Sequence, residues 1–212
     1  MKKTYLSLLI GLFIVSGCAS FRAAGQVQSG RVALFKQQPE AALAHFRQAT
    51  EVDPNYVAHY GPYSQSVWSY VGRAEYLQGN LPQARKSLER AITHQSDDYL
   101  ARIYLGLTLA RDGDRQRGLS ELQSGMRGIH DWLNSVEYGT SWGHFWDPGK
   151  KIRSEIEKNL AMISGKDVNW QQLSASGEWI GFQMEQEIDR ALRDERDDRT
   201  RDSDDGGAGE PS

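Results

Sequence analysis

The side chains best suited to chemistry lie in one run, Ser141-Trp142-Gly143-His144-Phe145-Trp146-Asp147. His144 and Asp147 can serve as an acid–base dyad. Trp142 and Trp146 offer flat faces on which a sugar ring can stack. The run is therefore a candidate glycan site, one that would bind or hydrolyse peptidoglycan. The other reading is a hydrophobic plug, because aromatic side chains dominate small cores and their polar tips find hydrogen bonds there. The plug is preferred. Elsewhere no G-x-S-x-G, H-E-x-x-H or P-loop occurs. His45, His59, His94, His130 and His144 include no i,i+4 pair suited to a helical metal site. No catalytic residue, metal or cofactor is assigned, and the chain reads as a non-enzyme.

Cys18 is the only cysteine in 212 residues, so no disulfide can form within the chain. Lys2 and Lys3 precede an apolar run from Tyr5 to Val15, too short to span a bilayer comfortably. Val15-Ser16-Gly17-Cys18 then resembles the lipobox of bacterial lipoproteins. The resemblance implies a signal peptide over 1–17, cleavage before Cys18, diacylglycerol on its thiol and acylation of the new amine. Such chains anchor stably, at about 0.8 kcal/mol per buried CH₂. Ala19 at the next position favours, by the same resemblance, an outer-membrane lipoprotein facing the periplasm. Residues 18–22 form a short lipidated linker. Ala19 to Arg22, if extended, reaches about 14 Å, which keeps the following domain against the membrane surface.

Charge excludes one class of partner. The chain has 25 basic and 28 acidic side chains, and losing Lys2 and Lys3 with the leader takes the net charge from −3 to −5. Without a basic stripe, nucleic acid is not an expected partner. About 195 mature residues suffice for one domain with a real core. Nothing in the sequence sets an oligomeric state.

These residues must be positioned by a repeated element. Gly72, Ala84, Leu88 and Ala91 recur as Gly106, Gly118, Leu122 and Gly125, each displaced by 34 residues. Gly79-Asn80 recurs as Gly113-Asp114 at the same displacement. An upstream copy, Gly30, Ala42, Phe46 and Ala49, keeps the internal spacing and ends at Pro54, but starts 42 residues before the next. The eight extra residues lie within Tyr56–Ser66. A fixed period of 34 with small residues at set places marks a helix–turn–helix solenoid. Small residues are needed where two helices cross closely, and a large one fills the space between them. From Pro62 the 4-3-4-3 spacing of Tyr63, Val67, Tyr70, Ala74 and Leu77 predicts a helix to Gln78.

The pattern resembles the tetratricopeptide repeat family, whose Trp, Gly, Ala, aromatic or Leu, and Ala positions match Trp68, Gly72, Ala84, Leu88 and Ala91 in the second copy, and whose Pro position matches Pro54 in the first. Glu75 stands where the family has Tyr. The resemblance implies an all-α, three-repeat helical solenoid over 23–131 that acts as a protein–protein interaction scaffold. It also implies a concave groove lined by the first helix of each repeat. Carried onto this chain, that groove holds Arg31, Tyr70, Arg73, Tyr76, Tyr104 and Arg111, and Arg and Tyr are enriched at binding hot spots. They are the expected partner-binding residues, suited to a segment of another envelope protein with acidic and apolar side chains. The Lys and Asn of the family's carboxylate clamp are missing. The bland reading is that the C-terminal helices fold back and fill the groove.

A solenoid also needs a cap on its last apolar face. Residues 132–200 supply an aromatic connector and two capping helices. One carries Ile152, Ile156, Leu160 and Ile163, and the other Leu173, Ile180, Met184, Ile188 and Ala191. Asp189/Arg193, Glu195/Arg199 and Asp197/Arg201 are i,i+4 pairs on the last helix. A charged tail over 201–212 should be disordered.

Overall fold

The computed structural model describes residues 2–139, 143–165 and 167–205, with the backbone alone for 2–18, 199 and 201–205. Ser141, Trp142, the Cys18 side chain and residues 206–212 of the expected disordered tail lie outside this description, while residues 201–205 of that tail are instead the end of a helix.

Six helices form three antiparallel pairs: α1 (Lys2–Phe35) with α2 (Pro39–Val52), α3 (Val67–Leu77) with α4 (Leu81–His94), and α5 (Tyr99–Arg111) with α6 (Arg115–Gly139). Sequence dictates the pairing through one small position per repeat. A Cβ at Gly30 would lie 2.3 Å from the Phe46 ring, one at Gly72 2.5 Å from Leu88 Cγ, and one at Gly106 2.7 Å from both Leu122 Cγ and the Gly118 carbonyl. The glycine on each first helix thus receives the large residue of its own second helix, as the spacing predicts.

The turns repeat as well. Gly79 and Gly113 have φ of 78° and 99°, in the left-handed region. The equivalent residue of the first repeat is Gln37, which takes φ 56° without glycine's freedom. Pro39 and Pro82 then sit in the first turns of α2 and α4, where a missing N–H leaves nothing unpaired.

Two expectations are corrected. The eight-residue insertion is a β-hairpin: β1 (Val57–Tyr60) pairs antiparallel with β2 (Tyr63–Ser66), joined through Gly61 at φ 59°. Helix begins only at Val67, because the Ser66 hydroxyl accepts from Trp68 N and caps it. Residues 19–22, read as an extended linker, are instead the continuation of α1. Helical rise of about 1.5 Å per residue shortens their reach to about 6 Å.

Beyond the repeats, α6 runs on past residue 131 to Gly139. A short 3₁₀ turn (Gly143–Phe145) leads to α7 (Lys151–Ile163) and then α8 (Trp170–Asp205). The apolar interior falls into two parts. One gathers Val27, Phe46, Val67 and Tyr70 around α1–α3. The larger joins the last two repeats to α7 and α8 through Leu88, Ile103, Leu107, Leu122, Ile156, Ile180 and Met184. Among the described residues no helix is long and apolar enough to cross a membrane.

Candidate functional site

The concave groove is occupied by α8. Gly177 lies on Leu107, where a Cβ would come within 3.1 Å. At Gly181 a Cβ would meet the Tyr104 hydroxyl at 2.3 Å. Two glycines four apart therefore let α8 settle onto α5. Leu173, Ile180, Met184, Ile188 and Ala191 are all at most 1% exposed beneath it. The apolar stripe read from the sequence is real, and it faces the groove.

Nearer the first repeat, the contact changes character. Glu185, 2% exposed, sits between two guanidiniums. Arg31 Nε donates to its Oε2 at 2.6 Å, and Arg73 Nη1 donates to its Oε1 at 2.8 Å. Arg31 Nη2 also donates to Asp189 Oδ1 at 2.9 Å and to the Glu185 carbonyl at 3.2 Å. Tyrosines complete the enclosure. Arg31 lies 4.8 Å from the Tyr60 ring centre and Arg73 5.2 Å from that of Tyr104. The Tyr60 and Tyr70 hydroxyls share a hydrogen bond at 3.1 Å.

Electrostatics follow from burial. Burial by itself would lower Arg31, yet the Glu185 carboxylate and the Tyr70 and Tyr60 hydroxyls hold it above its ordinary value. Arg73 is raised likewise, against its burial, by Tyr104 and Glu185. Burial pushes Tyr60 up to about 12 and Tyr70 well above its usual range. Every arginine in this enclosure is charged and every phenol neutral near neutral pH. The arrangement is a lock.

The six expected partner residues thus assemble on one wall, but five of them meet α8 or lie beneath it. Arg31, Tyr70, Arg73 and Tyr104 are buried, and Tyr76 donates to Glu178 Oε1 at 2.6 Å. Arg111 alone is exposed, stacked 4.7 Å over the Tyr76 ring. The expectation of an open partner groove is corrected here. The physical reason is that Gly177 and Gly181 fit α8 closely onto α5, while Glu185 and Asp189 supply the counter-charges of Arg31 and Arg73. Sequence reading named the wall and missed what sits on it. The signals were the Gly177–Gly181 pair inside an apolar stripe and one acid, Glu185, beside Met184.

Glu75, the departure from the family pattern, also has a use. It is 4% exposed, accepts from Ser87 Oγ at 2.7 Å and pairs with Arg47 at 3.2 Å. It therefore ties α3 to α4 and to α2.

The glycan dyad does not form. Trp146 is 2% exposed and packs 5.0 Å from Trp132 and 6.0 Å from Tyr63, centre to centre. The hairpin thus delivers Tyr63 to an aromatic plug. Asp147 accepts from Ile152 N and Arg153 N at 3.1 Å each, capping α7, and pairs with Arg153. His144 is exposed and lies against Phe145, with no hydrogen bond to Asp147. Among the described residues no cluster of three metal-ligating side chains occurs.

A family model described as the tetratricopeptide repeat matches residues 71–125. No curated protein and no solved structure matches the chain. The helix pairs and their glycine positions agree with that match, so residues 71–125 are similar to tetratricopeptide repeats, units that serve protein–protein interaction.

Proposed function

We propose that this chain is a membrane-anchored adaptor of the bacterial cell envelope, held by lipid on Cys18 and joining another envelope protein to an assembly or wall-remodelling complex. The repeats carry the interaction half of this reading. The sequence Val15-Ser16-Gly17-Cys18 behind a basic, then apolar, leader carries the anchoring half. Its place is the outer membrane, facing the periplasm. Because α1 is already helical at Ala19, the repeats stand close to the lipid, and partners are met near the membrane surface. Since α8 fills the groove, the partner is bound on faces that α8 and the repeats leave outside. Replacing Cys18 with Ser tests the anchoring. The expected result is an unprocessed precursor and loss of the membrane-bound fraction; normal processing and fractionation of the variant would overturn it.

A further inference from the structure

The outward face of α8 is unlike an ordinary solvated helix surface. Trp179, Phe182, Gln186 and Arg193 follow one another at intervals of 3, 4 and 7 residues, which puts them on one side of the helix. Trp179 and Phe182 are 36% and 38% exposed, large for a Trp and a Phe so placed side by side. Phe35, at the end of α1, meets Phe182 edge to face at 6.1 Å between ring centres. Phe35 also lines a cleft of about 580 Å³ between α8 and the turn leading into α7. That volume lies within the range of sites that enclose a ligand group.

The charges of this cleft are unevenly committed. Its acids are all engaged within the chain: Asp147 by Arg153, Glu187 by Arg190 and Asp189 by Arg31. Arg190 is engaged too, by Glu187 and Asp194. Lys151 and Arg193 line the same cleft and have no ion-pair or hydrogen-bond partner among the described residues. Arg193 was expected to pair with Asp189 four residues earlier. Arg31 takes that carboxylate instead and leaves Arg193 over. What the cleft offers a visitor is therefore aromatic at one end and cationic at the other.

Resting on the adaptor reading above, we infer that this face is the partner-docking surface, and that it takes a linear protein segment with a large apolar side chain followed or preceded by carboxylates. From Phe182 to Arg193 is eleven residues of helix, about 16 Å. An extended segment covers that in about five residues. The apolar side chain lies on Phe182, Phe35 and Trp179, and the carboxylates face Lys151 and Arg193. Aromatic anchors supply the affinity and the exposed cations supply orientation and on-rate. This surface differs from the family's inner groove, since α8 lies between the two.

The test places the photocrosslinking residue p-benzoylphenylalanine at Gln186, or at Lys86 on the far side of the repeats, in the full-length chain in its native membranes. Illumination at Gln186 should join it to a protein. The attached peptide should carry an apolar side chain about five residues from carboxylates. Lys151→Glu with Arg193→Glu should cut the yield at least tenfold while the melting temperature holds, and a synthetic copy of the peptide should bind wild type and not this variant. Crosslinking only to lipid or to a second copy, or a yield indifferent to charge reversal, overturns the surface. If Gln186 is silent and Lys86 captures a protein, this surface falls and the adaptor reading stands. If neither position captures a protein, both fall.

Discussion

The two ends of the filled groove hold α8 by different physics. At the α5 end, Gly177 and Gly181 admit the backbone, and Ile180 and Met184 bury apolar surface among Leu107 and its neighbours. At the α1 and α3 end, the link is the Glu185 carboxylate between two arginines, with Asp189 also on Arg31. No residue of α8 belongs to the apolar cluster of the first repeat. Apolar contact is tolerant of small shifts, whereas a buried carboxylate must meet its donors within a few tenths of an ångström. The apolar end therefore supplies adhesion and the polar end fixes position, tying the first repeat to the last helix.

Glu185→Ala breaks that contrast most severely. It leaves Arg73 buried with no carboxylate and Arg31 with Asp189 alone, a loss of about 3–5 kcal/mol. Thermal melting should drop on the order of 10 °C for a domain of this size. Gly181→Val attacks the apolar end. Its side chain would collide with Tyr104, which is 1% exposed and whose hydroxyl lies 2.3 Å from where a Cβ would stand. Overpacking of this kind costs about 1–3 kcal/mol, so its melting temperature should fall less than that of the Glu185 variant. If the order is reversed, the polar end is not the lock described here.

How much of this was legible before the structure follows from the range of each interaction. Gly30, Gly72 and Gly106 were readable because helix crossing is local, and each glycine is followed 16 residues later by the residue it receives. The hairpin was not. Tyr63 and Val67 fit a helical stripe, while the cues for strand were Gly61 in a left-handed turn and Ser66 as the cap of the next helix. Both cues are positional and compete with the same apolar residues. The groove wall was placed correctly from the repeat spacing, but its partner lay out of reach. Arg73 and Glu185 are 112 residues apart, and nothing local links them. Likewise, His144 and Asp147 looked like a dyad only because they are near in sequence; the turn sends Asp147 inward to α7.

A buried acid with no arginine sharpens the contrast. Asp98 is 1% exposed and accepts from Ser66 N at 2.9 Å, Ala101 N at 3.0 Å and Ser69 Oγ at 3.2 Å. Burial outweighs these three donors and pushes its carboxyl up to about 7. A raised carboxyl binds its proton more tightly folded than unfolded. Its penalty is therefore absent below about pH 4, builds as pH rises, and is complete above about 7. The expected result is an Asp98 carboxyl resonance titrating near pH 7, and a stability-versus-pH slope over that window that Asp98→Asn flattens. A midpoint near that of a free aspartate would remove this contribution. The smallest effect belongs to the exposed cations. Lys151→Glu and Arg193→Glu should leave thermal melting unchanged, since both are exposed and neither has an ion-pair or hydrogen-bond partner among the described residues.

The central claim is that α8 is part of the groove's core, and hydrogen–deuterium exchange of its backbone reads this most directly. Amides from Glu178 to Ala191 should exchange as slowly as those of α5, opening only with global unfolding. Exchange of that stretch at the rate of a frayed terminus, with α5 still protected, would contradict the account and return the groove to an outside partner.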